Sequence, residues 1–188
     1  ANHECLAALG TDTGWSVRLP AAFCGIVGFK PTYGHISRFG VQSMSNSLDQ
    51  VGVLAQSIWD AEIVYKQIRW VDPHDMRTIP DTSDILHKGK QGKDLRIYVM
   101  NEFFQEGIDP IIKQETLTYI EKLKSLWYQI TFGDFPWLKY LIATYYIICP
   151  AEVSTNVARF DGIRYGLQTD TSLFESVQEY YTYIRSQG

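Results

Sequence analysis

The residues best suited to chemistry gather in one stretch, Gly10-Thr11-Asp12-Thr13-Gly14-Trp15-Ser16-Val17-Arg18, which runs on through Leu19-Pro20-Ala21-Ala22-Phe23-Cys24-Gly25. A turn rich in Gly and small hydroxyl residues brings successive backbone N–H groups into a concave cradle. Ser16 closes that turn just before an expected helix, which holds its hydroxyl beside those donors. Such a site can stabilise the oxyanion formed in acyl transfer. Asp12 and Arg18 flank the turn with opposite charges and are expected to brace it. The same composition also fits a Gly-rich surface turn with an incidental Ser, because a Gly-rich loop by itself is a weak signal.

No conventional base accompanies Ser16 in the sequence. His3, His35, His74 and His87 show no arrangement that marks a Ser-His-Asp triad, and triads are recognised by geometry and not by spacing. Each His is expected at the surface or in a hydrogen bond. Clustered metal-ligand spacing is absent, so no metal is expected. Tyr145-Tyr146 and Tyr180-Tyr181 fit helix faces better than a base-stacking platform.

The elements that must hold this turn follow from pattern. Residues 25–29 and 51–55 are β-like runs between turn signals. A helix is expected over 61–68, capped by Ser57 or Asp60, with Ile63, Val64 and Ile68 on one face. Residues 71–93 carry Pro73, Pro80 and many charges and read as a surface loop. Residues 94–100 alternate as a strand, and Asp109-Pro110 starts a helix whose apolar stripe is Ile112, Tyr119, Ile120, Leu123 and Leu126. Residues 129–132 return to strand, so strand, helix and strand form a β-α-β unit of an α/β fold. A helix is expected over 138–159, kinked or split at Pro150. The last helix is expected over 172–185, with Ser172 and Glu175 as a capping box.

Composition narrows the classes further. The 188 residues are 45% hydrophobic and 20% charged, ordinary for a globular protein, and the net charge of −4 argues against a general nucleic-acid or membrane-surface binder. The longest apolar run, 141–149, is interrupted by Thr144 and is too short to span a bilayer. Cys5, Cys24 and Cys149 are odd in number and far apart, and read as buried free thiols in a reducing compartment. The chain opens at Ala1 with Asn-His-Glu-Cys-Leu, which reads as the middle of a domain, and truncation at both ends is expected.

The stretch Gly10 to Gly25, continued by Ile26-Val27-Gly28-Phe29-Lys30-Pro31-Thr32-Tyr33-Gly34, resembles the amidase signature at nearly every position. Ser37-Arg38-Phe39-Gly40, Ser47-Leu48-Asp49-Gln50-Val51-Gly52, Tyr145-Tyr146-Ile147-Ile148-Cys149-Pro150-Ala151-Glu152 and the block from Asn156-Val157-Ala158-Arg159-Phe160-Asp161 to Gly166 are similar to the A subunits of glutamyl-tRNA(Gln) amidotransferases within that family. The resemblance implies an amidase-signature fold: α/β, a mixed and mainly parallel sheet covered by helices, with residues 1–188 as the central part of a single domain. It implies Ser16 as the nucleophile of a Ser–cis-Ser–Lys triad. It places the oxyanion hole at the backbone N–H groups of Thr13, Gly14, Trp15 and Ser16. Glutamine would be the ammonia donor and the ammonia would pass to a B subunit. That partner would use ATP and Mg2+ and make most contacts with Glu-tRNA(Gln), while a C subunit ties A to B. This chain itself would hold no cofactor. The expected compartment is the cytoplasm, or a mitochondrion or plastid in a eukaryote.

Three departures from the family pattern accompany these expectations. The family's Lys and cis-Ser precede the signature, so this chain alone is expected to be inactive. Its remaining substrate contacts are expected beyond Gly188. Trp15 stands where the family has the second Gly of its Gly-Gly-Ser, and Trp70 and Trp127 also occupy apparent Gly positions. If the turn at 15 needs a positive φ, a bulky residue there costs on the order of 1–3 kcal/mol. The pattern also fits a catalytically silent scaffold relative, or a different amidase. Arg159, Asp161 and Glu152 are expected to brace the structure.

Overall fold

The run Gln50–Ala55 forms β3, buried at every position except half-buried Leu54. A short strand packed on both faces needs neighbours on both edges, and β3 has them. The computed structural model, which describes residues 2–80, 94–160 and 165–187, places β3 between β1 (Ala7–Asp12) and β2 (Val27–Phe29), each antiparallel to it. The register pairs Ala7 with Ala55 and ends at Asp12 opposite Gln50. Gly10 and Thr11, read as part of the Gly-rich stretch, therefore belong to a strand that ends at Asp12, and the turn is confined to residues 13–17, flanked by Asp12 and Arg18. The small size of Gly10 and Thr11 hid a pairing that only β3, about forty residues away, makes possible.

Helix α1 (Arg18–Phe23) follows that turn. Val17, fully buried, presses its side chain onto the sheet at a floor of glycines. A Cβ on Gly52 would stand 2.7 Å from the Phe29 carbonyl oxygen and 3.2 Å from a Val17 methyl. One on Gly28 would meet the Val17 carbonyl oxygen at 2.7 Å, and one on Gly10 the other Val17 methyl at 3.2 Å. These glycines serve close approach of the turn to the sheet.

Helix α2 (Ile58–Ile68) is capped by Ser57, whose side chain accepts the Asp60 N–H. It buries Ala61 on Val53 and Ala55, with Val64, Tyr65 and Ile68 packed around them. Ile63 is not on that face, being 60% exposed. The helix begins three residues earlier than its apolar pattern implies, because Ser57 and not Asp60 supplies the cap. Residues 70–80 lie over the loop 33–41 and are held by paired groups. Arg38 grips Asp75 through Nε (3.2 Å), Ser37 donates to Asp72 (2.6 Å), and Gly34, at φ +86°, accepts the Ile79 N–H (2.9 Å). The remainder of the expected surface loop, 81–93, and His87 with it, lie outside the described residues.

The chain divides into two compact units, Ala1–Pro80 with Tyr145–Gly188, and Asp81–Thr144. The second contains the expected β-α-β unit: β4 (Arg96–Met100), α3 (Pro110–Ser125) and β5 (Gln129–Gly133), the strands parallel and in register from Arg96–Gln129 to Met100–Gly133. Asp109 caps α3, accepting the Ile111 and Ile112 N–H groups, with Pro110 at the first helical position. The packed stripe of α3 is Leu117, Ile120 and Leu123, while the expected members Ile112, Tyr119 and Leu126 are exposed. An apolar residue on a helix reports hydrophobicity, and the position of the neighbouring strand selects the face that is covered.

Helix α4 (Leu138–Val157) contains Pro150 without being split there. Proline removes the ladder bond of its own nitrogen. Beyond it the helix is anchored from outside: Glu152 accepts from the Ser45 and Ser47 hydroxyls, and the Asn156 amide donates to the Met44 carbonyl at 3.0 Å. The last helix, α5 (Val177–Ser186), is capped by Ser176, four residues after the expected cap Ser172. Ser176 and Glu179 win over Ser172 and Glu175. Ser176 accepts the Glu179 N–H, and Asp170 instead caps a short 3-10 turn at Thr171–Leu173. Tyr180 and Ile184, one turn apart, bury the inner face of α5. All three cysteines are free, but Cys5 and Cys24 are exposed and only Cys149 is buried, so small size alone did not carry the first two into the core. Among the described residues no helix is long and apolar enough to cross a membrane.

Candidate active site

Asp12 ends β1 with its side chain fully buried. A carboxylate so placed needs partners. It receives the Val17 N–H (3.2 Å) and Arg18 N–H (3.3 Å) on Oδ2, and the Arg18 guanidinium on both oxygens at 3.0 Å. Val17 provides no side-chain cap for α1, so Asp12 caps the helix from across the turn. Arg18 also donates to the Gly14 carbonyl at 2.5 Å. Burial pushes the Asp12 carboxyl up, but the Arg18 hydrogen bond, the two amides and the Arg18 charge together outweigh it and hold the carboxyl below its usual range. The hydrogen bond to Asp12 likewise raises the Arg18 pKa. The bracing pair anticipated from opposite charges therefore exists as a two-pronged clamp.

The turn closed by this clamp presents unused donors. The backbone N–H groups of Thr13, Gly14, Trp15 and Ser16 find no acceptor among the described residues, while the next two amides both serve Asp12. Ser16 is exposed, and its hydroxyl has no hydrogen-bond partner among the described residues. Gly14 lies against the ring of Tyr145, where an added Cβ would come within 3.1 Å. Trp15 stacks its indole on the same ring, with centroids 5.4 Å apart and planes tilted by 39°. The Tyr145 hydroxyl is pushed up to about 12 by its hydrogen bond with Cys149 and by burial, and it stays protonated at neutral pH. The strain anticipated at Trp15 is absent: among the described residues the non-glycine positions with positive φ are His3 and Trp127.

Lys30 donates to the Pro31 carbonyl at 2.9 Å, and no hydrogen bond links it to Ser16. Burial pulls its pKa down and the nearby Arg18 charge adds to that, with Asp12 opposing. His35 bonds the Tyr65 hydroxyl (2.6 Å) and His74 approaches Asp72 (3.3 Å), and among the described residues neither His is hydrogen-bonded to Ser16. Arg159 donates to the Asn156 carbonyl (2.9 Å) and side chain (3.2 Å), a brace at the end of α4, while Asp161 lies outside the described residues. Glu152, held below its usual range by the Ser45 and Ser47 hydroxyls and the Ser47 amide, braces the loop 43–47. A cleft of about 440 Å3 lined by Leu9, Thr11, Ile36, Phe39 and Trp70 contains none of the anticipated site residues.

Reasoning on the turn alone missed Asp49 and Tyr145. Asp49 is 5% exposed and accepts the Thr13 hydroxyl at 2.7 Å. Both residues stand in blocks quoted above for their resemblance, but no spacing in the sequence links either one to the turn.

A buried acidic clamp thus holds a short turn whose amides, without an acceptor among the described residues, lead to an exposed Ser, and donors so arranged can receive the oxyanion of acyl transfer. The chain matches the Amidase family over residues 1–188 and belongs to it. Among curated relatives it is 42% identical to the glutamyl-tRNA(Gln) amidotransferase A subunit of Fusobacterium nucleatum, over 100% of this chain and 39% of that protein. The corresponding protein of Microcystis aeruginosa gives the same identity and coverage. Among solved structures it resembles the glutamyl-tRNA(Gln) amidotransferase A subunit of Thermotoga maritima, with TM-score 0.72 and 32% identity over 97% of this chain and 37% of that one. Allophanate hydrolase of Kluyveromyces lactis follows at TM-score 0.69 and 28% identity, covering 96% and 31%. The chain thus spans about two fifths of the length of the curated relatives it matches.

Proposed function

We propose that this chain carries the nucleophile and the oxyanion cradle of a glutaminase subunit, in the amidotransferase that converts Glu-tRNA(Gln) to Gln-tRNA(Gln). The observation that carries the reading is the exposed Ser16 hydroxyl at the end of four successive amides with no acceptor among the described residues. The identity to the A subunits of such amidotransferases supports the choice of reaction. Ser16 Oγ attacks the side-chain amide carbon of glutamine, and the carbonyl oxygen becomes an oxyanion received by the N–H groups of Thr13, Gly14, Trp15 and Ser16. Such donors act only where charge develops, which makes them effective in the transition state. The C–N bond breaks, ammonia leaves with a proton, and water then releases glutamate and restores the Ser16 hydroxyl. Asp12 and Arg18 keep the turn closed throughout. The base is the family's Lys, acting through a bridging Ser, and both stand outside these 188 residues.

The same reading makes residues 1–188 the central part of one amidase-signature domain. ATP and Mg2+ act in the B subunit, Glu-tRNA(Gln) is bound mainly there, and a C subunit joins the two. The assembly works in the cytoplasm, or in a mitochondrion or plastid.

Trp15 favours a second reading, a catalytically silent relative that keeps the fold, because it replaces the second Gly of the family's Gly-Gly-Ser. One assay separates the two. The full-length protein, assembled with its B and C partners, is expected to release ammonia from glutamine, and Ser16→Ala to lower that rate by at least ~10³-fold. No ammonia above the Ser16→Ala background, together with no acylation of Ser16, would overturn the catalytic reading and leave the silent relative.

A further inference from the structure

We infer that Asp49 is a positioning residue for acyl transfer at Ser16, acting through the Thr13 hydroxyl; the inference rests on the catalytic reading of Ser16. The sheet supplies the first observation. The β1–β3 ladder descends rung by rung to Asp12 opposite Gln50. The next rung in the same register sets Thr13 opposite Asp49. Here the backbone pairing stops and a side-chain pair takes its place, with Thr13 Oγ1 donating to Asp49 Oδ1 at 2.7 Å. Thr13 is therefore held at the end of the sheet by its side chain, and its N–H remains available as the first donor of the cradle.

The anchor is itself fixed. Asp49 is 5% exposed, and its second oxygen accepts the N–H groups of Met44 (2.8 Å) and Ser45 (2.9 Å). Its own N–H donates to the Ser45 carbonyl at 2.7 Å. With Oδ2 committed to two amides, the carboxylate cannot rotate without losing both, so Oδ1 stays directed at Thr13. The loop that supplies those amides is tied in turn to α4 by Glu152 and by Asn156. The cradle is thus gripped at both ends by buried carboxylates: Asp49 at its entry and Asp12 at its exit. Between the two grips lie Gly14, Trp15 and Ser16, whose amides have no acceptor among the described residues. Oxyanion donors must lie 2.7–3.1 Å from the developing charge. A Thr13 released from Asp49 lets the first of them drift.

The test uses the full-length protein assembled with its partners. Steady-state ammonia release and Ser16 labelling by a serine-reactive fluorophosphonate are both read at a temperature where every variant is folded by circular dichroism. Thr13→Val keeps the shape and the backbone N–H but removes the hydroxyl. It is expected to lower kcat and kcat/KM together by about 10–100-fold with little change in KM, the signature of an interaction made in the transition state. Thr13→Ser retains the hydroxyl and is expected to hold most of the rate. Asp49→Asn added to Thr13→Val is expected to cost little more than the worse single change, since both act through one contact. If unaltered protein is active and Thr13→Val matches its kcat, or if the two changes multiply independently, the positioning role is overturned while the catalytic reading stands. If unaltered protein neither releases ammonia nor labels at Ser16, the catalytic reading falls and this inference falls with it.

Discussion

Replacing Trp127 by Gly and, separately, by Ala isolates one backbone conformation at the end of α3. Trp127 donates its N–H to the Lys124 carbonyl (2.9 Å), and Tyr128 donates to the Leu123 carbonyl (3.2 Å). These are the two bonds of a Schellman closure, whose residue just past the helix adopts a left-handed conformation and is usually Gly. Trp127 has φ +69°. A side chain in that region costs roughly 1–2 kcal/mol, whereas Gly there costs only its greater unfolded freedom, about 0.5–1 kcal/mol. Both variants lose the same indole, which is 81% exposed, so their difference reports the backbone alone. Gly should therefore exceed Ala in stability by roughly 0.5–1 kcal/mol. That order is the reverse of a helix interior, where Ala exceeds Gly by about 1 kcal/mol. The measurement is urea unfolding followed by circular dichroism, with a melting-temperature difference of about 1–4 °C in the same direction. An Ala variant as stable as the Gly variant, or more stable, would refute the assignment of a left-handed position at 127.

Other expectations follow from the clamps and the glycine floor. Arg18→Ala leaves the buried Asp12 carboxylate without its cation and should cost about 3–5 kcal/mol. Asp12→Ala leaves a half-exposed Arg18 that water can solvate and should cost less, about 1–3 kcal/mol; chemical denaturation of both variants checks the order. Asp75, drawn from 3.8 to about 2 chiefly by its Arg38 hydrogen bond, contributes about 2 kcal/mol to folding at neutral pH. A depressed carboxyl stabilises above its unfolded pKa, so this contribution should disappear as pH falls from about 4 to about 2; Asp75→Asn should flatten the acid limb of the stability curve there. Gly52→Ala puts a methyl 2.7 Å from the Phe29 carbonyl oxygen and should destabilise by about 1–3 kcal/mol, measured by thermal melting.

The elements legible in the sequence are those whose signals are local. Asp109-Pro110 set the start of α3 because cap and proline act within one turn. The alternation of Leu95, Ile97 and Val99, and that of Ile130 and Phe132 with Gln129 and Thr131, gave both strands of the parallel pair. Where two local signals competed, the sequence did not rank them. Ser172 with Glu175 and Ser176 with Glu179 are equal as capping boxes, and α5 uses the second, burying Tyr180 and Ile184. Ile63 and Ile112 are as apolar as their buried neighbours, and only the location of the facing strand leaves them exposed.

The candidate site divides in the same way. Types and order of residues from Asp12 to Arg18 determined that a Ser would close a turn of available amides between opposite charges, because those are properties of consecutive residues. Tertiary structure decided what holds that turn. The partnership of Asp49 with Thr13 depends on the antiparallel register of β1 on β3. The seat of Gly14 and Trp15 against Tyr145 depends on a helix some 130 residues away. Hydrogen bonds and ring contacts fall off within a few ångströms, so residues far apart in sequence act on one another only after the sheet and helices have brought them together.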